Sequence, residues 1–206
     1  MIDATTLLAI GLAFFVVAVS PGPANISNAA IAMSHGRRKS LTYATGLSCG
    51  LGVWGVVAAT GMGAVLQGSV HVLIGMKLFG GAYLLWLAYQ SGRSAMRTQS
   101  SDVAAVSQGR WFLRGLALNL SNPKSVIAWM AALAVGLDPG DGVGALIAAT
   151  ALCIGLGFVN NWLYSIVFSM TGMMAVYRRT RRSVDGVVAG LFAIAGLGLI
   201  RSAVAR

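Results

Sequence analysis

Six long apolar stretches, at about residues 5–33, 41–66, 70–91, 111–135, 143–174 and 184–200, alternate with short polar segments along the chain. A bilayer core is about 30 Å thick and takes roughly 20 apolar helical residues to cross, so each stretch predicts a membrane span. The last is short. Only 15 uncharged residues lie between Asp185 and Arg201, and it reaches across only if its flanking residues snorkel. The first is too long. Ala4 to Gly36 is free of Asp, Glu, Lys and Arg over 33 residues, which as one straight helix would measure about 50 Å. Ser20-Pro21-Gly22-Pro23-Ala24-Asn25 interrupts it. Each proline lacks an N–H and crowds the preceding turn, so carbonyls near residues 15–19 lose their helical partners. In lipid, irregular backbone survives only when it is buried in protein or lines a cavity. A simple kink needs one proline; two prolines flanking a glycine, with Asn25 behind them, predict a functional break.

The fourth stretch repeats the device. Asn119-Leu120-Ser121-Asn122-Pro123-Lys124-Ser125 sets a proline, amides and a lysine inside an apolar span, and Pro123 follows Pro23 by 100 residues. Leu47-Ser48-Cys49-Gly50-Leu51-Gly52 also resembles Leu152-Cys153-Ile154-Gly155-Leu156-Gly157. The expected architecture is therefore an all-α membrane protein, one transmembrane domain over residues 1–206. Its six transmembrane helices form two three-helix halves, about 1–100 and 101–206, with helices 1 and 4 broken at the proline motifs. Three spans per half make the halves inverted with respect to one another. Broken helices at matching places in inverted halves point to a transporter site near the midplane.

Composition sharpens this picture. Hydrophobic residues make up 57% of the chain and charged ones 10%, against about 25% charged in soluble domains. The 27 glycines suit close helix packing in lipid. Net charge is +10, which on a soluble protein would suggest nucleic acid. Here the basic residues cluster in alternate connections: Arg37, Arg38 and Lys39; then Arg93, Arg97, Arg110 and Arg114; then Arg178, Arg179, Arg181 and Arg182. The other two connections carry none, and one holds Asp138 and Asp141. The positive-inside rule then puts the basic connections in the cytoplasm and both termini outside, with Arg201 and Arg206 a mild violation. The start, Met1-Ile2-Asp3, lacks the basic region of a signal peptide, so the first segment is expected to be retained. Glycine-rich faces on segments two and six suit either a homodimer or internal packing. Lys77, two turns into segment three, is expected to snorkel outward, and His35 and His71 to be solvated or interfacial.

Lys124 carries the most chemistry. A charge deep in a membrane helix costs about 2.5–3.5 kcal/mol on insertion scales and needs water, carbonyls or an anion. Either the ammonium staples the two breaks by bonding freed carbonyls, or it captures a substrate carboxylate, helped by the half-helix N-terminus after Pro123. No Asp or Glu lies within a span apart from Asp185 at the end of the sixth, which argues against a substrate with a cationic side chain. A neutral amino acid fits better. Its ammonium would meet carbonyls freed around Val19 and Asn119, with Asn25 and Asn122 completing the shell. The expected binding residues are Pro21, Gly22, Pro23, Asn25, Asn119, Asn122, Pro123, Lys124, Asn160 and Asn161. Asn160, Asn161 and Ser165, with Ser48 and Cys49, face the same cavity or act as interhelical glue, glue being the plainer reading.

Pro21-Gly22-Pro23 followed by His35-Gly36-Arg37-Arg38 resembles the first signature of the lysine exporter and homoserine/threonine exporter family of bacterial inner-membrane amino-acid exporters. Gly80-Gly81-Ala82-Tyr83-Leu84-Leu85-Trp86-Leu87, Gly115 with Asn119 and Asn122-Pro123-Lys124, and residues 187–199 resemble its third, fourth and last helices. The resemblance covers nearly the whole chain. It implies six helices, export of amino acids or their analogues, and coupling to proton entry, with no enzymatic activity. Two departures matter: Ala24 follows the Pro-Gly-Pro where an acid or amide is common, and Val135-Gly136-Leu137-Asp138-Pro139 replaces the usual Pro-Gln-Phe. The first leaves the coupling residue open between Lys124 and Asp185. Two other classes stay in view. A thiol–disulfide carrier would use Cys49 and Cys153, although neither adjoins a break. A divalent-metal exporter would need clustered carboxylates, His or Cys, and the spans hold none, so no metal or cofactor is expected.

Overall fold

The computed structural model describes residues 3–68, 70–96, 109–136 and 142–204. Arg97, Asp138, Asp141 and Arg206, and the side chains of Pro123, Arg178 and Arg181, lie outside that description. Every regular element among the described residues is helical: α1 (Ala4–Val19), α2 (Pro23–His35), α3 (Arg37–Gly68), α4 (Val70–Met96), α5 (Trp111–Leu120), α6 (Pro123–Gly136), α7 (Val143–Phe168) and α8 (Met173–Val204). The element order repeats: a pair of short helices split at a proline motif, then two long helices.

Local chemistry sets the helix ends. Asp3 caps α1, accepting the Thr6 N–H at 2.6 Å, and that bond holds its carboxyl below the usual carboxylate range. Pro23 sits at the start of α2, where its missing N–H leaves no helical carbonyl short of a donor. α1 and α2 are bent by 58° across the three-residue break. Gly36, at φ 82°, ends α2 in a conformation that side chains disfavour, and α3 starts at once.

Among the described residues, three helical stretches are long and apolar enough to cross a membrane: Arg37–Gly61, Val143–Phe168 and Arg182–Val204. The bent pair α1–α2 passes the same test only when taken together, as a broken span or a re-entrant loop. α5 and α6, with 10 and 14 residues, each fall short of a span by length. Leu8, Leu12, Val56, Ile147 and Ile194 are exposed, as a lipid-facing surface requires, while Ile10, Phe14, Leu51, Trp129, Leu133 and Phe192 fill the interior.

α3 packs between α5 and α7, α1 lies against α6 and α7, α2 against α7 and α3, and α4 runs along α8. Three placements differ from the sequence expectation. The basic clusters are helical rather than looped: Arg37, Arg38 and Lys39 open α3, and Arg178 to Arg182 lie in the first turns of α8. A hydropathy pattern ends a span at its charges, whereas the helix continues through them. Asp185 consequently sits well inside α8, is 2% exposed and accepts from Ser94 Oγ at 2.7 Å. Lys77 does not snorkel. It is 4% exposed, because it shares the face of α4 that carries Gly81 and Leu84 into the bundle at helical spacing. His35 is half-buried and its ring lies 4.9 Å from that of Trp111.

Candidate functional site

Buried backbone groups need partners, and the break between α1 and α2 meets this demand with side chains. Ser20 Oγ donates to Val17 O at 2.8 Å. Asn25 Nδ2 donates to Ala18 O at 2.6 Å and to Ser20 O at 3.0 Å. Asn160 Nδ2 adds a second bond to Ala18 O at 3.2 Å, and Tyr164 OH takes Val19 O at 2.8 Å. At the α5–α6 break, Trp54 Nε1 donates to Leu120 O at 3.1 Å, and Asn122 Oδ1 accepts the Lys124 N–H at 3.1 Å. Lys124 Nζ joins the two breaks, donating to Ser20 O at 3.0 Å and to Ser20 Oγ. Tyr164→Phe should therefore lower stability by about 1–3 kcal/mol, the cost of a carbonyl left without its donor, read as a lower melting temperature of the detergent-solubilised protein.

The breaks face a cavity of about 50 Å³. Its polar wall comprises Asn25 from α2, Asn119, Asn122, Lys124 and Ser125 from the second break, and Asn160 and Asn161 from α7. Its apolar wall is made by Phe14, Val17, Leu51 and Ala128. Phe14 packs at a tilt against Trp129 with ring centroids 4.9 Å apart, and Trp129 Nε1 donates to Leu51 O at 2.9 Å. Gly22 completes the rim. A Cβ there would lie 3.0 Å from Lys124 Nζ, so the glycine makes room for the ammonium.

Gly22, Asn25, Asn119, Asn122, Lys124, Asn160 and Asn161 thus converge on one cavity. Pro21 and Pro23 do not line it; they shape the break. Of the other polar candidates, Ser48 accepts from Asn161 Nδ2 at 3.0 Å behind the wall, and Ser165 joins Ser40 and Asn28 in a buried cluster. Their role is interhelical bonding. Cys49 and Cys153 are free thiols and neither lines the cavity. Among the described residues no three His, Cys, Asp or Glu side chains come together as metal ligands would. Sequence reasoning did not single out Ser125, whose Oγ donates to Asn119 Oδ1, or Ser20 as the partner of Lys124. Both stand in the quoted motifs, and that position was the available signal.

Apolar helices around a small amide-lined cavity fit a multi-pass membrane protein, and the comparisons with known proteins place it among transporters rather than enzymes. The family model "LysE type translocator" matches residues 15–203, and the chain belongs to this family. It is 30% identical over 200 residues to the threonine efflux protein of Salmonella typhi, covering 94% of this chain and 96% of that protein. It is 29% identical over 202 residues to the threonine efflux protein of Escherichia coli K12, covering 95% and 97%. Against the homoserine/homoserine lactone efflux protein of Salmonella typhimurium it is 35% identical over 118 residues, 57% of each chain. No solved structure matches significantly.

Proposed function

We propose that the chain exports small neutral amino acids, above all hydroxyl-bearing ones of the threonine and homoserine kind, across a bacterial inner membrane. The observation that carries this reading is the cavity at the paired breaks, with Lys124 on one wall and no carboxylate among the described residues that line it. A space of about 50 Å³ holds about three to five waters, which favours a compact solute. Its amide lining suits a molecule rich in hydrogen-bonding groups, and the names of the relatives point the same way.

On this reading the repeated element order is two inverted three-span halves, about 1–100 and 101–206, with α1–α2 and α5–α6 as broken spans. The solute is passed by alternating access around the fixed cavity. The basic ends of α2–α3, α4–α5 and α7–α8 face the cytoplasm and both termini face outside. Protons entering in exchange would be carried by Lys124 in the cavity or by Asp185 in α8. Gly186 and Gly190, one helical turn apart on an open side of α8, suit a homodimer contact.

The test is efflux from an exporter-deficient strain preloaded with dipeptides that each release one amino acid. Expression of the chain should speed the appearance of threonine, homoserine or a similarly small neutral amino acid outside the cells. Unchanged release of every amino acid would remove the reading.

A further inference from the structure

We infer that the side-chain oxygens of Asn160 and Asn161 on α7 are the seat of the substrate's ammonium group, on a different helix from Lys124. This rests on the export reading above and deepens it. The carbonyls freed at the first break were the expected acceptors for that ammonium, but they are already in use. Ala18 O and Ser20 O each accept two side-chain donors, which fills both lone pairs, and Val17 O, Val19 O and Leu120 O each accept one. The side chains of the cavity offer acceptors that are less engaged.

Two stand out. Asn160 and Asn161 line the cavity and are each 4% exposed. The orientation of both amides is dictated by their neighbours. Asn160 Nδ2 faces Ala18 O and, at 3.4 Å, Asn25 Oδ1, and both of these can only accept. Asn161 Nδ2 faces Ser48 Oγ, whose own hydrogen goes to Ala44 O at 2.9 Å, so Ser48 also accepts here. The nitrogen ends are therefore bound, and the oxygen ends have no partner among the described residues. Neither oxygen is sealed away: among the described residues Arg114 Nη1 is the one buried side-chain nitrogen or oxygen lacking both a partner and access. Two oriented acceptors thus open onto the space that their residues line.

The second break offers donors instead. Asn122 Oδ1 is held by the Lys124 N–H, leaving Asn122 Nδ2 as a free donor. Lys124 Nζ uses two of its three hydrogens on Ser20. Donors at the second break and acceptors on α7 match a zwitterion in one orientation, its carboxylate toward the former and its ammonium toward the latter. The acceptors are neutral amides, so they bind an ammonium without holding it as a buried carboxylate would, and a transporter must release what it binds.

Everted membrane vesicles carrying the full chain would be assayed for uptake of labelled L-homoserine and of homoserine lactone, which keeps the amine and masks the carboxylate. Asn160→Ala and Asn161→Ala should raise the half-saturation concentration of both compounds alike, on the order of tenfold to hundredfold, as expected for a lost hydrogen bond to a charged group. Asn161→Asp keeps an oxygen in place, lets the Ser48 hydroxyl turn to donate, and should restore affinity for both. Wild-type half-saturation in the two alanine variants, or a loss confined to the free-carboxylate compound, would overturn the assignment. An Asn161→Asp variant that inserts normally yet binds no better than Asn161→Ala would also overturn it. Wild-type vesicles that accumulate neither compound nor any other small amino acid would instead sink the export reading, and the subsite with it.

Discussion

Lys124→Met should abolish export of free amino acids while sparing their carboxylate-masked analogues and leaving the fold intact. Methionine keeps most of the stem volume that packs beside Gly22 and removes the charge. The stability term is small in this setting. Insertion scales put the cost of a lysine at mid-membrane depth at about 2.5–3.5 kcal/mol, so deleting it relieves a burden while losing two bonds to Ser20. Ser20 O keeps Asn25 Nδ2 as a donor, so no backbone group is stranded. The transport term is large. A hydrogen bond between a charged donor and a charged acceptor is worth about 1.5–3 kcal/mol or more, which is on the order of a hundredfold in affinity at its upper end. The measurement is half-saturation for L-homoserine and its lactone beside the melting temperature. A substrate-anchoring lysine raises the first value, not the second, and leaves the melting temperature near wild type. A lysine that only staples the breaks would weaken both substrates equally and lower the melting temperature.

That contrast shows where sequence reasoning was strong. Prolines and a lone lysine in apolar stretches are conspicuous because each violates a rule that lipid enforces locally, and the affected residues can be named from the chain alone. The partners that resolve the violation cannot. Tyr164 reaches Val19 O, Trp54 reaches Leu120 O and Lys124 reaches Ser20 across 66 to 145 residues of sequence. Nothing in the pattern of tyrosines and tryptophans marks which of them will turn inward. The same blindness explains Lys77 and Asp185. Both lie on surfaces that α4 and α8 bury against the rest of the bundle, and inward or outward is decided by that packing rather than by hydropathy. Asn160 and Asn161 are an intermediate case. The two adjacent amides are visible in an apolar run, but glue and binding site look alike until each nitrogen and each oxygen has been accounted for.

Packing also predicts the largest structural effect. Gly46→Ala should collapse both stability and transport, although residue 46 lies outside the cavity. A Cβ at Gly46 would stand 2.0 Å from Phe112 O and 2.9 Å from Leu116 N, and one at Gly115 would stand 2.1 Å from Tyr43 O. The backbones of α3 and α5 therefore touch directly, each glycine admitting the other helix's carbonyl, as small residues do at helix contacts in lipid. The obstacle is backbone, so no side-chain rotamer relieves it and α5 must move away from α3. That movement separates Asn119 Nδ2 from Leu47 O, now 2.6 Å apart, and Trp54 from Leu120 O, which together hold the second break and one wall of the cavity. Overpacking costs about 1–3 kcal/mol, and each stranded polar group adds about 1–3 kcal/mol, so the total is a large share of the roughly 5–15 kcal/mol that holds a typical protein folded. Gly52→Ala is the internal control. It lies on the same helix with nothing within 4 Å of its Cβ position, and the added methyl should stabilise by up to about 1 kcal/mol through helix propensity. Melting temperature and homoserine uptake should fall together for Gly46→Ala and hold or rise for Gly52→Ala. Equal behaviour of the two variants would mean that the α3–α5 contact is looser than its geometry states.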